Sequence, residues 1–174
     1  FRHPPKDMYT ISDDGSLIVN PSHFNLTGDA TFEPSDRLSY VGRRQTDTYF
    51  TYYVDMDFYP ETEGEEAGVT VFANQWQHTD LGLVVLNGTL KARLRTTAFG
   101  SDDSLSGETV VDVPEELVGE SVRLQVRAVV DTEFEFSMGA AGEGNEMVVV
   151  GTASGAVTSG GSAQFTGKSS SRGV

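Results

Sequence analysis

The chain has 174 residues and no cysteine. Disulfide bonds, zinc–thiolate sites and thiol nucleophiles are therefore excluded, and cysteine usage gives no indication of the redox compartment. Long hydrophobic runs are also missing, since no apolar stretch approaches the roughly 18 residues that a membrane-spanning helix needs. Basic residues are scarce: 12 Lys and Arg stand against 26 Asp and Glu, which gives a formal net charge of −14. Such a charge repels nucleic-acid phosphates and anionic membranes, so neither is a predicted partner.

The length fits one domain with a sizeable core, and we predict a single domain over residues 1–174. From Gly139 onward the composition shifts to Gly, Ser, Ala and Thr. Only "EMVVVG" and "AQFTG" resemble strands there, and the chain ends in "KSSSRGV". The region 139–174 is therefore the part of the domain that the pattern defines least.

Period-2 alternation dominates the chain, which predicts many short strands and very little helix. "MYTISDDGSLIV" predicts a hairpin around Asp14-Gly15, and "VPEELVGE" allows at most one helical turn. Strands at regular spacing without alternating helices indicate an all-β antiparallel sandwich or jelly roll. In "YFTYYVDMDFYP" the alternation predicts two faces of one strand. The predicted core face consists of Tyr52, Val54, Met56 and Phe58, and the predicted outward face consists of Tyr53, Asp55, Asp57 and Tyr59.

Most basic residues fall on outward strand faces, as in "TLKARLRTT" and "SVRLQVRAVV". The sequence predicts that they form solvated charge ladders, with Asp55 and Asp57 as cross-strand partners.

Catalytic chemistry has weak support in the sequence. The pairs Asp55/Asp57 and Glu133/Glu135 each lie side by side on one strand, whereas a glycosidase places its two carboxylates astride the scissile bond. The strained Gly-x-Ser-x-Gly turn of a serine hydrolase is absent. A free-standing sandwich glycanase that depends on Glu66 is nevertheless kept as one hypothesis, ranked third after the two non-catalytic roles given below.

Metal binding is also weakly indicated. His78 and Asp80 lack the spaced histidines of a transition-metal site, so we predict no such metal and no cofactor. Calcium at Asp13/Asp14 or at Asp102/Asp103 stays open because carboxylate oxygens are suitable ligands.

Trp76, the single tryptophan, lies in "NQWQH". An exposed indole offers a flat apolar face to a sugar ring, while neighbouring polar groups supply hydrogen bonds; the alternative is that the indole fills the core. The carbohydrate-binding residues that we predict are Trp76, His78, Asp80, Tyr53, Asp55 and Tyr59.

Two sequons, at Asn25 and Asn87, match the glycosylation acceptor pattern and favour a secreted glycoprotein.

The stretch "YVGRRQTDTYFTYYVDMDFYPETEGEEAGVTVFANQWQHTDLGLVVL" resembles the C-terminal concanavalin A-like β-sandwich of family 43 glycoside hydrolases, the β-xylosidase and α-arabinofuranosidase group. The matching motifs are "GRRQ", "GEEAG" followed by "VF", and the segment that ends in "DLG", with "HFNLTG" ahead of them. The similarity covers about residues 1 to 140.

The resemblance implies an accessory, non-catalytic module that packs on a five-bladed catalytic propeller of the same enzyme and contacts xylan or xylo-oligosaccharide. An independent carbohydrate-binding, lectin-like module is the second hypothesis. Family members usually continue past a "FTG" segment into a final strand, so the resemblance also implies that a closing strand is missing or supplied by a partner. Alternation in "GEEAGVTVFAN" places Glu66 inside a strand, and we predict an ion pair with Arg43 or Arg44.

Overall fold

The computed structural model describes residues 7–27, 38–99 and 102–159. The chain divides into two compact units, Phe1–Gln45 and Thr46–Val174. The single domain over 1–174 stays a prediction, and the strand predicted at "AQFTG" lies outside the described residues. No helix in the described part of the chain is long and apolar enough to cross a membrane.

In the described part of the first unit, β1 (Tyr9–Ile11) and β2 (Leu17–Val19) form an antiparallel hairpin. Gly15 lies in its turn with φ +90°, a conformation that favours glycine. Asp14 accepts a hydrogen bond from the Ser16 hydroxyl at 3.1 Å and so closes the turn. The hairpin predicted from Asp14-Gly15 is confirmed.

The second unit consists of eight further described strands. In chain order they are β3 (Thr51–Met56), β4 (Glu66–Asn74), β5 (Gln77–Leu86), β6 (Thr89–Ala98), β7 (Gly107–Asp112), β8 (Val122–Val130), β9 (Glu133–Ala140) and β10 (Met147–Ser154). They form two four-stranded antiparallel sheets with the orders β10-β9-β8-β3 and β4-β5-β6-β7. Short 3₁₀ turns supply the helical content of the described residues, at Asp103–Leu105, Glu115–Leu117 and Gly155–Val157.

The hydrophobic core lies between the inward faces of the two sheets. Leu81 and Leu83 of β5 pack in one cluster with Leu124 of β8 and with Phe136 and Met138 of β9, all at most 1% exposed. Burial of each such side chain stabilises the fold by about 1.5–3 kcal/mol. The predicted all-β antiparallel sandwich is thus confirmed.

The predicted inward and outward faces also agree with the structure. Val54 and Met56 of β3 pack against the core, while Asp55 points outward and is bound by Arg123. Tyr52 lies opposite the buried Val126 and yet keeps 41% of its surface exposed, because β3 is an edge strand.

Strand β5 departs from this pattern because residues 77–84 are buried on both faces. It is a central strand of its sheet, and its outward face holds His78 and Asp80. Such burial of polar groups requires partners within the protein.

Candidate functional site

The outward face of the β4–β7 sheet contains a row of paired charges. Arg95 on β6 lies directly opposite Asp80 and donates to its Oδ2 from Nε at 3.1 Å and from Nη2 at 2.7 Å. Arg93 donates to Glu66 from both Nε and Nη2, with Nε to Oε1 at 3.1 Å. Arg95 Nη2 also lies 3.5 Å from Glu66 Oε2, so the two pairs are joined.

The partners of Glu66 within the second unit are Arg93 and Arg95. The predicted ion pair with Arg43 or Arg44 would join the two units and stays a prediction. The glycine at position 82 makes the contacts within the second unit possible. Gly82 lies opposite Arg93 and has no side chain, so Glu66 on β4 extends over β5 to reach β6.

The same network corrects the prediction of a solvated charge ladder. The side chains of Arg93 and Glu66 are 16% and 19% exposed, and that of Asp80 is 10% exposed. Charges withdrawn from water to this degree need good pairing geometry, which the two-point arginine contacts provide. On the other sheet, the predicted cross-strand pairing of Asp55 is found, because Arg123 on β8 binds Asp55 on β3.

His78 and Asp80 form a buried pair at the end of this network. His78 Nδ1 lies 3.2 Å from the carbonyl oxygen of Asn74, which only a protonated Nδ1 can contact favourably. His78 Nε2 lies 3.3 Å from Asp80 Oδ1, and neither atom has a hydrogen-bond partner within the described structure. Two such acceptors facing each other repel, so the geometry requires one proton between them.

Burial is the main cause of the pKa shifts in this pair. It raises the pKa of Asp80 above the usual carboxyl value and lowers the pKa of His78, since both charged forms lose hydration. Arg95 opposes the shift at Asp80 and adds to the shift at His78, since its positive charge stabilises the carboxylate and disfavours the imidazolium. Since His78 is fully buried and Asp80 is 7% exposed, the pair has almost no surface to offer a sugar.

Trp76 occupies a different environment. It is 44% exposed at the turn between β4 and β5, and its ring lies 5.6 Å from that of Phe99, which is 58% exposed. The Trp76 backbone N–H donates to Asn74 Oδ1 at 2.8 Å. Of the predicted trio Trp76, His78 and Asp80, the structure thus leaves only the tryptophan accessible. Phe99 is a candidate residue that the sequence interpretation missed.

Tyr53 and Asp55 lie on β3, in the other sheet from the β4–β5 turn. Arg123 binds Asp55 at 2.7 and 2.8 Å and covers the Tyr53 ring, with its guanidinium carbon 3.9 Å from the ring centroid. The hydrogen bond from Arg123 lowers the pKa of Asp55. Tyr59 follows β3 and is 66% exposed. Tyr53 and Asp55 therefore lie on a different sheet from His78 and Asp80.

The predicted calcium loops use their carboxylates locally. Asp14 accepts hydrogen bonds within the first hairpin turn, and Asp102 accepts one from the Ser104 N–H at 3.0 Å. Within residues 7–27, 38–99 and 102–159, no group of three or more His, Asp or Glu side chains is arranged to hold a metal ion. Calcium at Asp13/Asp14 or Asp102/Asp103 stays an untested prediction.

The two sequons lie at the surface. Asn25 is exposed, and Asn87 occupies the turn between β5 and β6 with φ 54°. Glu63 accepts hydrogen bonds from the N–H groups of Asn87 and Gly88, at 2.8 and 3.1 Å. The exposed positions are compatible with glycosylation, which itself stays a prediction.

Comparison with known proteins connects this architecture to a family. Residues 8–169 match the β-xylosidase C-terminal concanavalin A-like domain. A curated relative, the non-reducing end α-L-arabinofuranosidase BoGH43B of Bacteroides ovatus, is 31% identical over 160 residues. That alignment covers 85% of this chain and 28% of the relative, so the chain spans little more than a quarter of the length of that enzyme.

Two solved structures share the fold. The Bacteroides ovatus protein described as xyloglucan PUL GH43B superposes with a TM-score of 0.70 at 29% identity, over 88% of this chain and 27% of that one. The GH43 protein BlXynB from Bacillus licheniformis, in its K247S mutant form, gives a TM-score of 0.66 at 17% identity, over 87% and 26% of the two chains. The resemblance stated from the sequence motifs is confirmed, and the chain belongs to the family of β-xylosidase C-terminal concanavalin A-like domains.

Proposed function

We propose that this chain is the accessory sandwich module of a family 43 enzyme that degrades xylan, and that it acts by packing on a five-bladed catalytic propeller. The observation that supports this most directly is the family match over residues 8–169. The relative's coverage of 28% agrees with it, since the remainder of that enzyme is available to contain a catalytic domain.

The carboxylates of the module support a non-catalytic role. Glu66 is bound at two points by Arg93, and Asp80 is bound at two points by Arg95. A general acid and a nucleophile must both reach the scissile bond. These two partly buried carboxylates are instead directed to their arginine partners. The glycanase hypothesis requires Glu66 in catalysis, whereas its contacts favour a structural role.

Contact with xylan or xylo-oligosaccharide is the second part of the proposal. The exposed indole of Trp76 supports it, because a flat aromatic surface suits the C–H face of a sugar ring. The alternative, an independent lectin-like module, is favoured by the same indole. It requires that the chain bind sugar without a catalytic partner.

We further propose that the enzyme is secreted and glycosylated at Asn25 and Asn87. The exposure of both residues supports this. Treatment of source material with a peptide N-glycosidase should lower the mass of the chain and convert both residues to Asp; a mass unchanged by the treatment contradicts the glycosylation.

The experiment that tests the packing role is isolation of the native polypeptide from its source, followed by intact mass spectrometry. We expect either a much longer chain that includes a catalytic domain or a catalytic polypeptide that co-purifies stoichiometrically. A native polypeptide that consists of this module alone and purifies without a catalytic polypeptide would contradict the packing role and favour the lectin-like alternative.

A further inference from the structure

Trp76 and Phe99 form an exposed aromatic pair beyond the paired ends of β5 and β6. Their ring centroids lie 5.6 Å apart and their planes are inclined by 47°. Their surfaces are 44% and 58% exposed, and covering this apolar area with another molecule would be favourable in free energy.

The turn that presents Trp76 is held by hydrogen bonds and does not depend on a ligand for its shape. Asn74 accepts from the Trp76 N–H through Oδ1 and donates to Gln77 Oε1 through Nδ2, both at 2.8 Å. Its carbonyl oxygen faces the buried His78, which Asp80 contacts in turn. A preorganised aromatic surface loses little conformational entropy on binding, as expected of a binding site.

The charge of the molecule disfavours one class of flat ligand. Flat ligands that stack on aromatic rings include nucleobases and sugar rings. The net charge is −14, and the exposed acidic turn at Asp102 and Asp103 follows Phe99 closely in the sequence. Phosphate-bearing ligands are repelled by such a surface, so a neutral sugar is the suitable occupant.

The surroundings of the pair supply polar contacts. Gln75 is half-buried beside Trp76, and its side-chain amide makes no hydrogen bond to the residues that the structure describes. The amide is therefore available to sugar hydroxyls. Two rings inclined at 47° do not lie against one flat surface. They suit two sugar rings that are rotated relative to each other, as successive rings of a xylan chain are.

We propose that Trp76, Phe99 and Gln75 form a binding site for a neutral β-1,4-linked xylo-oligosaccharide. Successive sugar rings stack on the two aromatic side chains, and the Gln75 amide hydrogen-bonds their hydroxyls. This inference rests on the proposed xylan contact and assigns that contact to one surface of the module.

Calorimetric titration of the 174-residue chain with xylohexaose, run in parallel with tryptophan fluorescence, tests the assignment. Trp76 is the only tryptophan, so any fluorescence change reports on this turn directly. We expect saturable binding in both signals. Phe99→Ala should weaken it about threefold to tenfold, the range for loss of one aromatic contact. Trp76→Ala should remove the calorimetric signal, and Gln75→Ala should weaken it about threefold.

Tyr49→Ala is the matched control because it removes an aromatic ring that is 64% exposed and lies just before β3, away from the proposed site. Its affinity should equal that of the parent chain, and unchanged unfolding midpoints show that the variants are folded. Binding that persists in Trp76→Ala and Phe99→Ala overturns this site while leaving xylan contact in place. Absence of binding by the parent chain overturns both the site and the xylan contact, and leaves the packing role standing.

Discussion

At the scale of single residues, Gly82 is the position that permits the charge network. A Cβ there would lie 2.8 Å from Glu66 Oε1 and 2.9 Å from Glu66 Cγ, so the glutamate would have to leave its position over β5. We expect Gly82→Ala to lower the free energy of unfolding by about 1–3 kcal/mol, as overpacking usually does. Chemical denaturation measures this change.

Gly107→Ala is the control, because a Cβ at Gly107 meets nothing within 4 Å and its φ is not positive. Equal stability losses in the Gly82→Ala and Gly107→Ala variants would show that the position over β5 has no special role.

The two carboxylates of the network should respond differently to neutralisation. Glu66→Gln leaves Arg93 without its charged partner, and we expect a loss of ~2 kcal/mol, which is less than for a fully buried pair. Burial favours the protonated form of Asp80, and Asp80→Asn resembles that form because its amide can donate to His78 Nε2. Asp80→Asn should therefore lower the free energy of unfolding by less than ~1 kcal/mol. Denaturation of both variants at neutral pH measures the two losses. A larger loss in Asp80→Asn would contradict the shared proton.

His78 makes the stability of the module depend on pH. Burial lowers its pKa below the unfolded value of 6.5, so on acidification the unfolded chain binds a proton before the native one does. The raised pKa of Asp80 has the opposite effect on stability, and Asp80→Asn removes it. In the Asp80→Asn background, stability should therefore fall as the pH drops below 6.5. The slope is at most about 1.4 kcal/mol per pH unit.

The control for this pH dependence is His78→Gln in the same Asp80→Asn background, which should remove that part of the slope. Denaturation curves at several pH values between about 7 and 5 measure both variants. An identical slope with and without His78 would assign the dependence to other groups.

The sequence predicted part of this residue-level arrangement. Alternation placed Arg93 and Arg95 correctly on the outward face and Glu66 correctly inside a strand, because a strand has a side-chain period of two. It did not identify the partners of Glu66, since partner choice depends on register and on the space above Gly82. The burial of His78 could not be predicted from alternation either, because polar residues on an outward face are normally solvated.

At the scale of elements, the Asn87-Gly88 turn fixes how β5 and β6 pair. Both residues have positive φ, at 54° and 71°. In a two-residue turn of this kind, each residue before the turn pairs with the residue the same number of positions after it. Asp80 thus faces Arg95, and Gln77 faces Ala98. The sequence analysis did not use Asn87-Gly88 as a turn; a hairpin register counted outward from it would have placed Phe99 beside Trp76.

The turn also yields a stability prediction. Gly88→Ala forces a side chain into the left-handed region and should cost ~1 kcal/mol, although nothing lies within 4 Å of the added Cβ. The sequon Asn87-X-Thr89 survives this change, so glycosylation is not altered along with stability. Thermal unfolding of the parent chain and the variant measures the cost, and an unchanged midpoint would contradict the turn geometry.

At the scale of the whole molecule, composition and alternation were sufficient to predict an antiparallel sandwich, because its strands are one-sided and its turns contain Gly, Asn and Asp. The strand partners across the two sheets depend on long-range packing, which no local pattern encodes. For the same reason, the sequence grouped Tyr53 and Asp55 with Trp76, whereas the structure places them on separate sheets.

The proposed role is that the module serves a catalytic domain without performing catalysis itself. It is tested by hydrolysis of an aryl xyloside and an aryl arabinofuranoside by three proteins: the proposed longer enzyme, that enzyme without the segment 8–169, and the isolated 174-residue chain. We expect no hydrolysis by the isolated chain, and a raised KM or a lower unfolding midpoint in the truncated enzyme. Hydrolysis by the isolated chain that Glu66→Gln abolishes, or a truncated enzyme indistinguishable from the longer one, would contradict this role.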